Sequence, residues 1–292
     1  MLLTKQGESV TPDSVAERAA LIGPGGEIIT SPFHLAVVEQ LRREAGLERP
    51  PADAVPCDVF VFAIGEPPAP YLTKIGGHPY RPRARPWPKT ADGRDRLFVA
   101  QLCFIDSRDI VPDVSGDVLL VFADPEDHYR SHEFEWLRIG EGDVLADADV
   151  PPAWYSTHTE NPFLNPNAKP ILVRVPPIVV VHGVIHRSWD LRPDDSRVSA
   201  CPGGDRVARF EATKIGGVPV EIQSPVSGAR SPIASIGSIQ PIGDEPFPWV
   251  NREAPIPQAE VYALKTWQLG DMGTLNIVRD SSGRLSSDAA TY

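Results

Sequence analysis

Two lysine–glycine segments are the first candidates for chemistry in this sequence. Thr73-Lys74-Ile75-Gly76-Gly77 recurs as Thr213-Lys214-Ile215-Gly216-Gly217. Paired glycines adopt positive φ readily, so their N–H groups can form a nest for an anion, to which a lysine adds charge. A structural turn, in which the lysine packs on a sheet or meets a carboxylate, is the alternative. The glycine spacing differs from that of a P-loop or a dinucleotide-binding turn.

Two aspartates and two glutamines complete the candidate binding residues. Asp117 and Asp271 each follow a glycine, and carboxylates that meet across a two-fold axis could do acid–base work. A Gly-Asp turn in which the aspartate bonds the backbone explains the same pattern without catalysis. Gln101 lies in an apolar segment, where it either bonds the backbone or points into a cleft. Gln223 follows the second lysine–glycine segment and is the remaining candidate.

Histidine pairs raise the question of a metal site. His182 and His186 lie in a valine-rich segment that favours a strand, on which they would stand ~13 Å apart and could not share an ion. His128 and His132 would share a face only if a short helix forms there, and a solvated acidic turn is the alternative. No nucleophile elbow of the Gly-x-Ser-x-Gly type is present. The sequence therefore predicts no metal, no cofactor and no recognisable catalytic set.

Charge and composition restrict the partners. The chain has 292 residues, 41% of them hydrophobic, and a formal net charge of −11, which disfavours nucleic acid. One basic cluster stands out, and it indicates a solvated loop or a surface for an acidic partner: Arg81, Arg83, Arg85, Lys89, Arg94 and Arg96. The three cysteines have no short spacing, which argues against a disulfide framework. The apolar run 175–185 contains two prolines and is too short to span a bilayer, and the N-terminus does not resemble a signal peptide. We therefore expect a cytoplasmic protein that does not enter membranes.

Apolar runs predict the elements that must position these residues. The runs 57–64, 97–105 and 117–123 are typical of buried strands, and 261–267 and 274–278 are strand candidates in the second half. One clear amphipathic helix is predicted between Ser31 and Gly46. The segment 124–170 is polar, and Trp154 and Tyr155 are predicted to lie in a loop.

The order of these features predicts an internal duplication. In each half a lysine–glycine segment is followed by a strand, a Gly-Asp turn and a second strand, with residues 261–264 matched to residues 98–101. The expected fold class is α+β and mainly β, a pseudo-two-fold β-rich body with few helices. The expected divisions are an N-terminal helical extension (1–50), a first β-rich repeat (51–150) and a second (151–292).

An ordered set of motifs resembles the YwqG-like family, a bacterial domain family of unknown function. The first half carries Gly76-Gly77, Pro79, Pro82, Trp87-Pro88, Asp92-Gly93 and a strand with Leu97, Phe98, Ala100 and Gln101. The second half carries Gly217, Pro219, Gln223, Gly270, Asp271 and Gly273. The match covers roughly residues 57–280 and implies one compact duplicated domain, 51–285. Residues 1–50 and 124–200 depart from the family pattern.

The resemblance implies no established catalytic residue. Some relatives look like neighbours of bacterial toxin genes, which implies an immunity or toxin-binding role. The leading hypothesis is a non-enzymatic cytoplasmic protein that binds another protein, as an immunity-type antidote. The alternative is an enzyme or small-anion binder with a site between the repeats, around the Lys-Ile-Gly-Gly turns. That alternative predicts that Lys74 and Lys214 converge on one pocket.

Overall fold

The computed structural model consists almost entirely of antiparallel strands. Within the described part, helical structure is limited to two short 3-10 helices, Ile105–Ser107 and Asp147–Asp149, and to Arg43. The expectation of a β-rich body with few helices is confirmed for this part of the chain. The predicted helix 31–46 lies outside the described residues, except for Arg43. The structure describes residues 43, 49–64, 66–127, 130–158, 170–175, 180–191, 213–219, 231–238, 269 and 273–290.

Fourteen strands are found in these ranges. The first seven are β1 (Val55–Ile64), β2 (Lys74–Ile75), β3 (Tyr80–Arg81), β4 (Leu97–Cys103), β5 (Val118–Ala123), β6 (His132–Leu137) and β7 (Asp143–Val144). The other seven are β8 (Trp154–His158), β9 (Pro170–Arg174), β10 (Val181–Asp190), β11 (Lys214–Gly216), β12 (Ser231–Gly237), β13 (Thr274–Arg279) and β14 (Leu285–Ala290).

Ten of the strands form one sheet with the order β14-β13-β12-β11-β1-β10-β2-β4-β5-β6. The two longest strands, β1 and β10, pair antiparallel over their full length at its centre. The predicted strand 57–64 is thus confirmed, and its apolar residues on both faces fit a position between two neighbours. β3 pairs with β7, and β8 pairs with β9, as separate two-stranded ribbons.

The sheet curls until its two end strands approach each other. The Oγ of Ser287 on β14 lies 2.8 Å from the Nδ1 of His132 on β6. The curvature encloses the larger core on the concave side, where residues from both halves of the chain pack together. Phe60, Ile75, Val121, Ile215 and Ile277 are among its buried members. This core is the principal source of hydrophobic stabilisation, because its side chains are almost completely removed from water.

The opposite face of β4–β6 carries a smaller core beneath the segment 80–96. Trp87 meets Phe122 edge to face at a centroid distance of 5.5 Å, and Trp87 Nε1 donates to the carbonyl of Arg96. Arg81 is 1% exposed and forms a bidentate ion pair with Glu135, at 2.7 and 2.9 Å. Such a pair satisfies a buried guanidinium and fixes its orientation. The segment is therefore packed on the sheet by both apolar and charged contacts.

Candidate functional site

The first lysine–glycine turn is closed by a carboxylate of the same chain. Lys74 is 1% exposed, and its Nζ donates to Glu66 Oε2 at 2.6 Å. Burial is the main reason that the pKa of Lys74 falls below its usual value, and the contact with Glu66 offsets part of that effect. The ammonium group is thus already paired, as the structural alternative for this turn predicted.

Glycine is required in this turn because the carboxylate lies where a side chain would be. Gly76 and Gly77 have φ values of 72° and 69°. A Cβ on Gly77 would collide with Glu66 Oε1, which also accepts the N–H of His78 at 3.3 Å. The concave N–H surface that could bind an external anion therefore holds the chain's own carboxylate.

The second turn has the same arrangement with a different carboxylate. Lys214 Nζ donates to Asp190 Oδ2 at 2.5 Å, and the N–H of Val218 donates to the same oxygen at 2.7 Å. Gly216 and Gly217 have φ values of 73° and 72°, and a Cβ on Gly217 would collide with Asp190 Oδ2. Asp190 ends β10, whereas Glu66 lies just beyond β1, so each turn is closed by a residue from the end of a central strand.

The two lysines lie on one face of the sheet but do not converge. The register places Lys74 in line with position 63 of β1 and Lys214 in line with position 59, and positions four apart on a strand share a face. Three strand spacings and four residue steps separate them, about 14 Å across the strands and about 13 Å along them. Because each lysine has its own carboxylate, the described residues supply no joint anion pocket.

Gln101 bonds the backbone and does not open into a cleft. It is fully buried, and its Nε2 donates to the carbonyls of Pro70 and Leu72 at 2.7 and 2.6 Å. Its Oε1 accepts the N–H of Tyr80 at 2.8 Å. The side chain therefore holds both ends of the loop that carries the first lysine–glycine turn. Gln223 lies outside the described residues.

Asp117 connects the start of β5 with the segment after β6 and with Arg108, which follows the first 3-10 helix. Its Oδ2 accepts the N–H of Ile139 at 2.9 Å, and its Oδ1 accepts a hydrogen bond from Arg108. These contacts hold the pKa of Asp117 below the usual carboxyl range, and the bond from Ile139 contributes most. The carboxylate thus links the segments beside β5 and β6. Asp271 lies outside the described residues, so a pair with Asp117 stays a prediction.

The basic cluster is neutralised within the chain. Arg83 contacts Asp149, Lys89 contacts Asp95, and Arg94 contacts Glu126. Arg81 and Arg85 both approach Glu135, and Arg96 approaches Glu133. Since every member of the cluster has an acidic neighbour, the cluster holds the segment 80–96 in place and presents little unmatched positive charge.

The histidines give no metal site in the described part of the chain. β10 contains both His182 and His186, which confirms the strand and its ~13 Å spacing between them. His128 lies outside the described residues, and His132 begins β6. The described residues contain no group of three or more side chains that could hold a metal ion. The same residues include no helix that is long and apolar enough to cross a membrane.

A surface feature that the sequence did not predict is the ribbon formed by β8 and β9. Trp154 and Tyr155 begin a strand, so the expected loop at this position was wrong. Leu172 is 63% exposed, Ile171 is 43% exposed, and Trp154 is 41% exposed. These values make the ribbon the most apolar exposed surface of the described chain. Its sequence signal is the apolar segment 171–175, which predicts a strand. β9 confirms that strand, but the pattern resembles that of a core strand and does not indicate its exposure.

No protein-family model matches the sequence, and no curated protein matches it. The resemblance to the YwqG-like family therefore stays a prediction that rests on the motifs quoted above.

Proposed function

We propose that this chain is a non-enzymatic protein-binding protein whose docking element is the β8–β9 ribbon. The observation that carries the proposal is the exposure of Leu172, Ile171 and Trp154 on an element that lies outside the main sheet. Leu172 and Trp154 lie on one face of the ribbon, and Ile171 lies on the other. Exposed large apolar side chains are typical of protein-interaction sites, because their burial provides the driving force for association.

The internal contacts of the candidate binding residues support the same proposal. Lys74, Lys214, Gln101 and Asp117 all make internal contacts that fix loops or strand ends. A catalytic or ligand-binding side chain needs a hydrogen-bond donor, an acceptor or a lone pair that is available to the substrate. Each of these four already makes such an internal contact in the described structure, so the small-anion alternative receives no support from them.

Within this proposal, the chain acts in the bacterial cytoplasm as an immunity-type antidote. The motivation is the resemblance to the YwqG-like family together with the net charge of −11. An acidic protein attracts a basic partner over long range and accelerates the encounter. The expected partner is therefore a protein of net positive charge with an apolar patch that covers the ribbon.

The proposal includes an internal duplication. One unit comprises β1, β2, β4, β5 and β6, and the other comprises β10, β11, β12, β13 and β14. The first strand of each unit, β1 or β10, pairs with the second strand of the other unit, β11 or β2. Outward from β1 the sheet runs β11, β12, β13, β14, and outward from β10 it runs β2, β4, β5, β6. In this correspondence the counterpart of β4 is β12, and not residues 261–264, which lie outside the described residues.

Matching hydrogen bonds support the correspondence. The N–H of Phe60 donates to the carbonyl of Thr213, as the N–H of Gly183 does to that of Thr73, each at 2.9 Å. The threonine hydroxyls also match, because each accepts a backbone N–H from its β4 or β12 neighbour at 2.9 Å. Because β1 and β10 each pair with strands of the other unit, the two units would form one continuous sheet, beside which the β8–β9 ribbon lies as a separate element.

A photo-crosslinking experiment tests the function. A photoreactive phenylalanine analogue replaces Leu172 in one variant and Arg284, an exposed turn residue, in the control. The variants are co-expressed with the basic protein encoded beside the gene, and protection of growth is measured in parallel. We expect crosslinks to that protein from position 172 alone, and loss of both binding and protection in Leu172→Glu. Equal crosslinking from both positions, or full protection by Leu172→Glu, would overturn the proposal.

A control for folding accompanies that variant. Because Leu172 is largely exposed, Leu172→Glu should retain the wild-type melting temperature. Leu102 is fully buried, so Leu102→Ala should lose about 2–5 kcal/mol of stability. This variant is the reference for the loss of binding and protection that a folding defect alone would cause.

A further inference from the structure

We infer that β9 binds an extended segment of the partner protein as a third strand of the ribbon. This inference rests on the proposed function and specifies how the ribbon recognises its partner. A strand with an unpaired edge is a ready template for another chain, and backbone hydrogen bonds along that edge provide the affinity.

The hydrogen-bond alternation shows which groups face outward. The N–H of Val175 donates to the carbonyl of Ala153, so this pair lies on the inner side of the ribbon. Backbone directions alternate along a strand, and the register continues with Tyr155 opposite Val173 and Thr157 opposite Ile171. The N–H and carbonyl groups of Leu172 and Arg174 therefore point to the outer edge of β9.

The outer edge of β8 is already closed. The N–H of Ser156 donates to Glu126 Oε1 at 3.0 Å, and Arg94 Nη1 donates to the carbonyl of Trp154 at 3.4 Å. Arg94 and Glu126 also contact each other, so one ion pair covers this edge and ties the ribbon to the body. Side chains of this kind protect natural sheet edges from unwanted pairing.

Within the described ranges, the outer edge of β9 lacks this protection. Among the described residues, no hydrogen bond meets the outward groups of Leu172 or Arg174. Leu172 is also the most exposed large apolar side chain of the described chain. One edge of the ribbon is thus closed and anchored, while the other presents an open backbone and an apolar side chain together.

The chemistry of β9 selects the partner segment. A third strand would place its own side chains beside Leu172 and Ile171, which favours valine, isoleucine or aromatic residues there. Arg174 is exposed at the end of β9, which favours a carboxylate at the partner position beside it. The partner segment is therefore an extended apolar strand with one acidic residue, carried by a protein that is otherwise basic.

A second copy of this chain fits the edge less well. Two antiparallel β9 strands centred on Leu172 would place Arg174 opposite Pro170, where no carboxylate is available. The two chains would also bring together net charges of −11 each. Self-association through β9 is accordingly a result that would overturn the inference.

The first test uses synthetic peptides and residue-resolved amide exchange. The probe is a capped peptide of alternating valine and threonine with one glutamate, and the control is the same peptide with every backbone amide N-methylated, so that neither of its edges can donate. We expect the probe, and not the control, to slow exchange at Leu172 and Arg174. The already paired amides of Ile171 and Val173 should change little. Equal effects of the two peptides, protection elsewhere, or no protection at millimolar peptide would overturn the inference.

The second test separates strand addition from ribbon docking in general. Proline is tolerated at edge positions whose N–H faces outward, so Leu172→Pro removes the outward donor and leaves the pairing with β8. Leu172→Ala removes the same side-chain contacts but keeps the donor. If strand addition is right, Leu172→Pro binds the basic partner at least about tenfold more weakly than Leu172→Ala. If both bind equally well while Leu172→Glu fails, the docking function stands and strand addition is wrong. If all three bind like the wild type, the docking element itself is wrong. Melting curves of each variant verify the fold.

Discussion

Lys74 Nζ lies 2.6 Å from Glu66 Oε2, although the two side chains differ greatly in exposure. The lysine side chain is 1% exposed and the glutamate side chain is 46% exposed. The pair connects a buried position on β2 with a residue at the surface just after β1. The contact between Lys214 and Asp190 likewise connects β11 with the end of β10, although the Asp190 side chain is only 12% exposed. Each lysine thus forms an ion pair that links its own strand to the end of a central strand.

The ion pair of the buried Lys74 with Glu66 predicts that the stability of the protein depends on pH. Because the pKa of Lys74 is lowered in the folded chain, mainly by burial, the unfolded chain binds more protons between that pKa and the ordinary lysine value. The contribution of Lys74 to stability therefore increases as pH rises through this window. Lys74→Met should flatten the alkaline part of the stability profile measured by urea unfolding.

Lys89→Met is the matched control for this measurement. Lys89 also contacts a carboxylate, Asp95, but its side chain is 53% exposed. Its removal should leave the shape of the profile unchanged, since exposed ion pairs contribute little. A Lys74→Met profile that parallels the wild type at alkaline pH would contradict the assignment.

The glycine turn predicts a difference between two alanine substitutions. Gly77 and Gly93 both have positive φ, 69° and 87°, but a Cβ at Gly93 would meet nothing within 4 Å. Gly93→Ala should cost only the backbone strain, about 1 kcal/mol. Gly77→Ala should cost at least about 1 kcal/mol more, because the carboxylate of Glu66 must leave and the buried ammonium loses its partner. Equal free energies of unfolding would show that Glu66 does not occupy the turn.

Gln101 should be important for stability. Gln101→Ala leaves the Tyr80 N–H and the Pro70 and Leu72 carbonyls without partners in a buried site. The expected loss is about 3 kcal/mol in urea unfolding, larger than for a surface glutamine. Gln101→Glu keeps the acceptor for Tyr80 but loses both donors, and it should not restore the stability. A loss below about 1 kcal/mol for either variant would contradict this role.

Two strands of the main sheet, β1 and β5, could be predicted because their signal is local. Residues 57–64 and 118–123 are apolar at almost every position, and runs of this length are typical of strands that are buried on both faces. The turn at Gly76-Gly77 was predictable for a similar reason, because two adjacent glycines are typical of positive φ. These inferences need no knowledge of which strands become neighbours.

The partners of the lysines could not be predicted, because they depend on strand order. Glu66 and Asp190 stand at different distances in sequence from Lys74 and Lys214, and only the sheet brings each carboxylate under its turn. The ribbon was missed for another reason. The apolar pattern of residues 171–173 is that of a core strand, and nothing in the local sequence indicates that these residues remain exposed.

Asp117 predicts an acid-sensitive component of stability. Its folded pKa is depressed, first by the N–H of Ile139 and then by Arg108, so the unfolded chain takes up protons before the folded chain does as pH falls. The stability that Asp117 contributes is complete above the ordinary carboxyl pKa and is lost as pH falls through the folded value. Asp117→Asn can still accept the Ile139 N–H, so it should match the wild type in acid and be less stable at neutral pH.

Arg108→Ala separates the two causes of the depressed pKa. Since the Ile139 bond is the largest single cause and remains in this variant, Arg108→Ala should keep a clear part of the acid sensitivity in urea unfolding across the acid range. Asp117→Asn should lose most of it. If Arg108→Ala flattened the profile as fully as Asp117→Asn, the ion pair would be the dominant contact. Asp117 would then serve chiefly to hold Arg108, and the link from β5 to the end of β6 would be secondary.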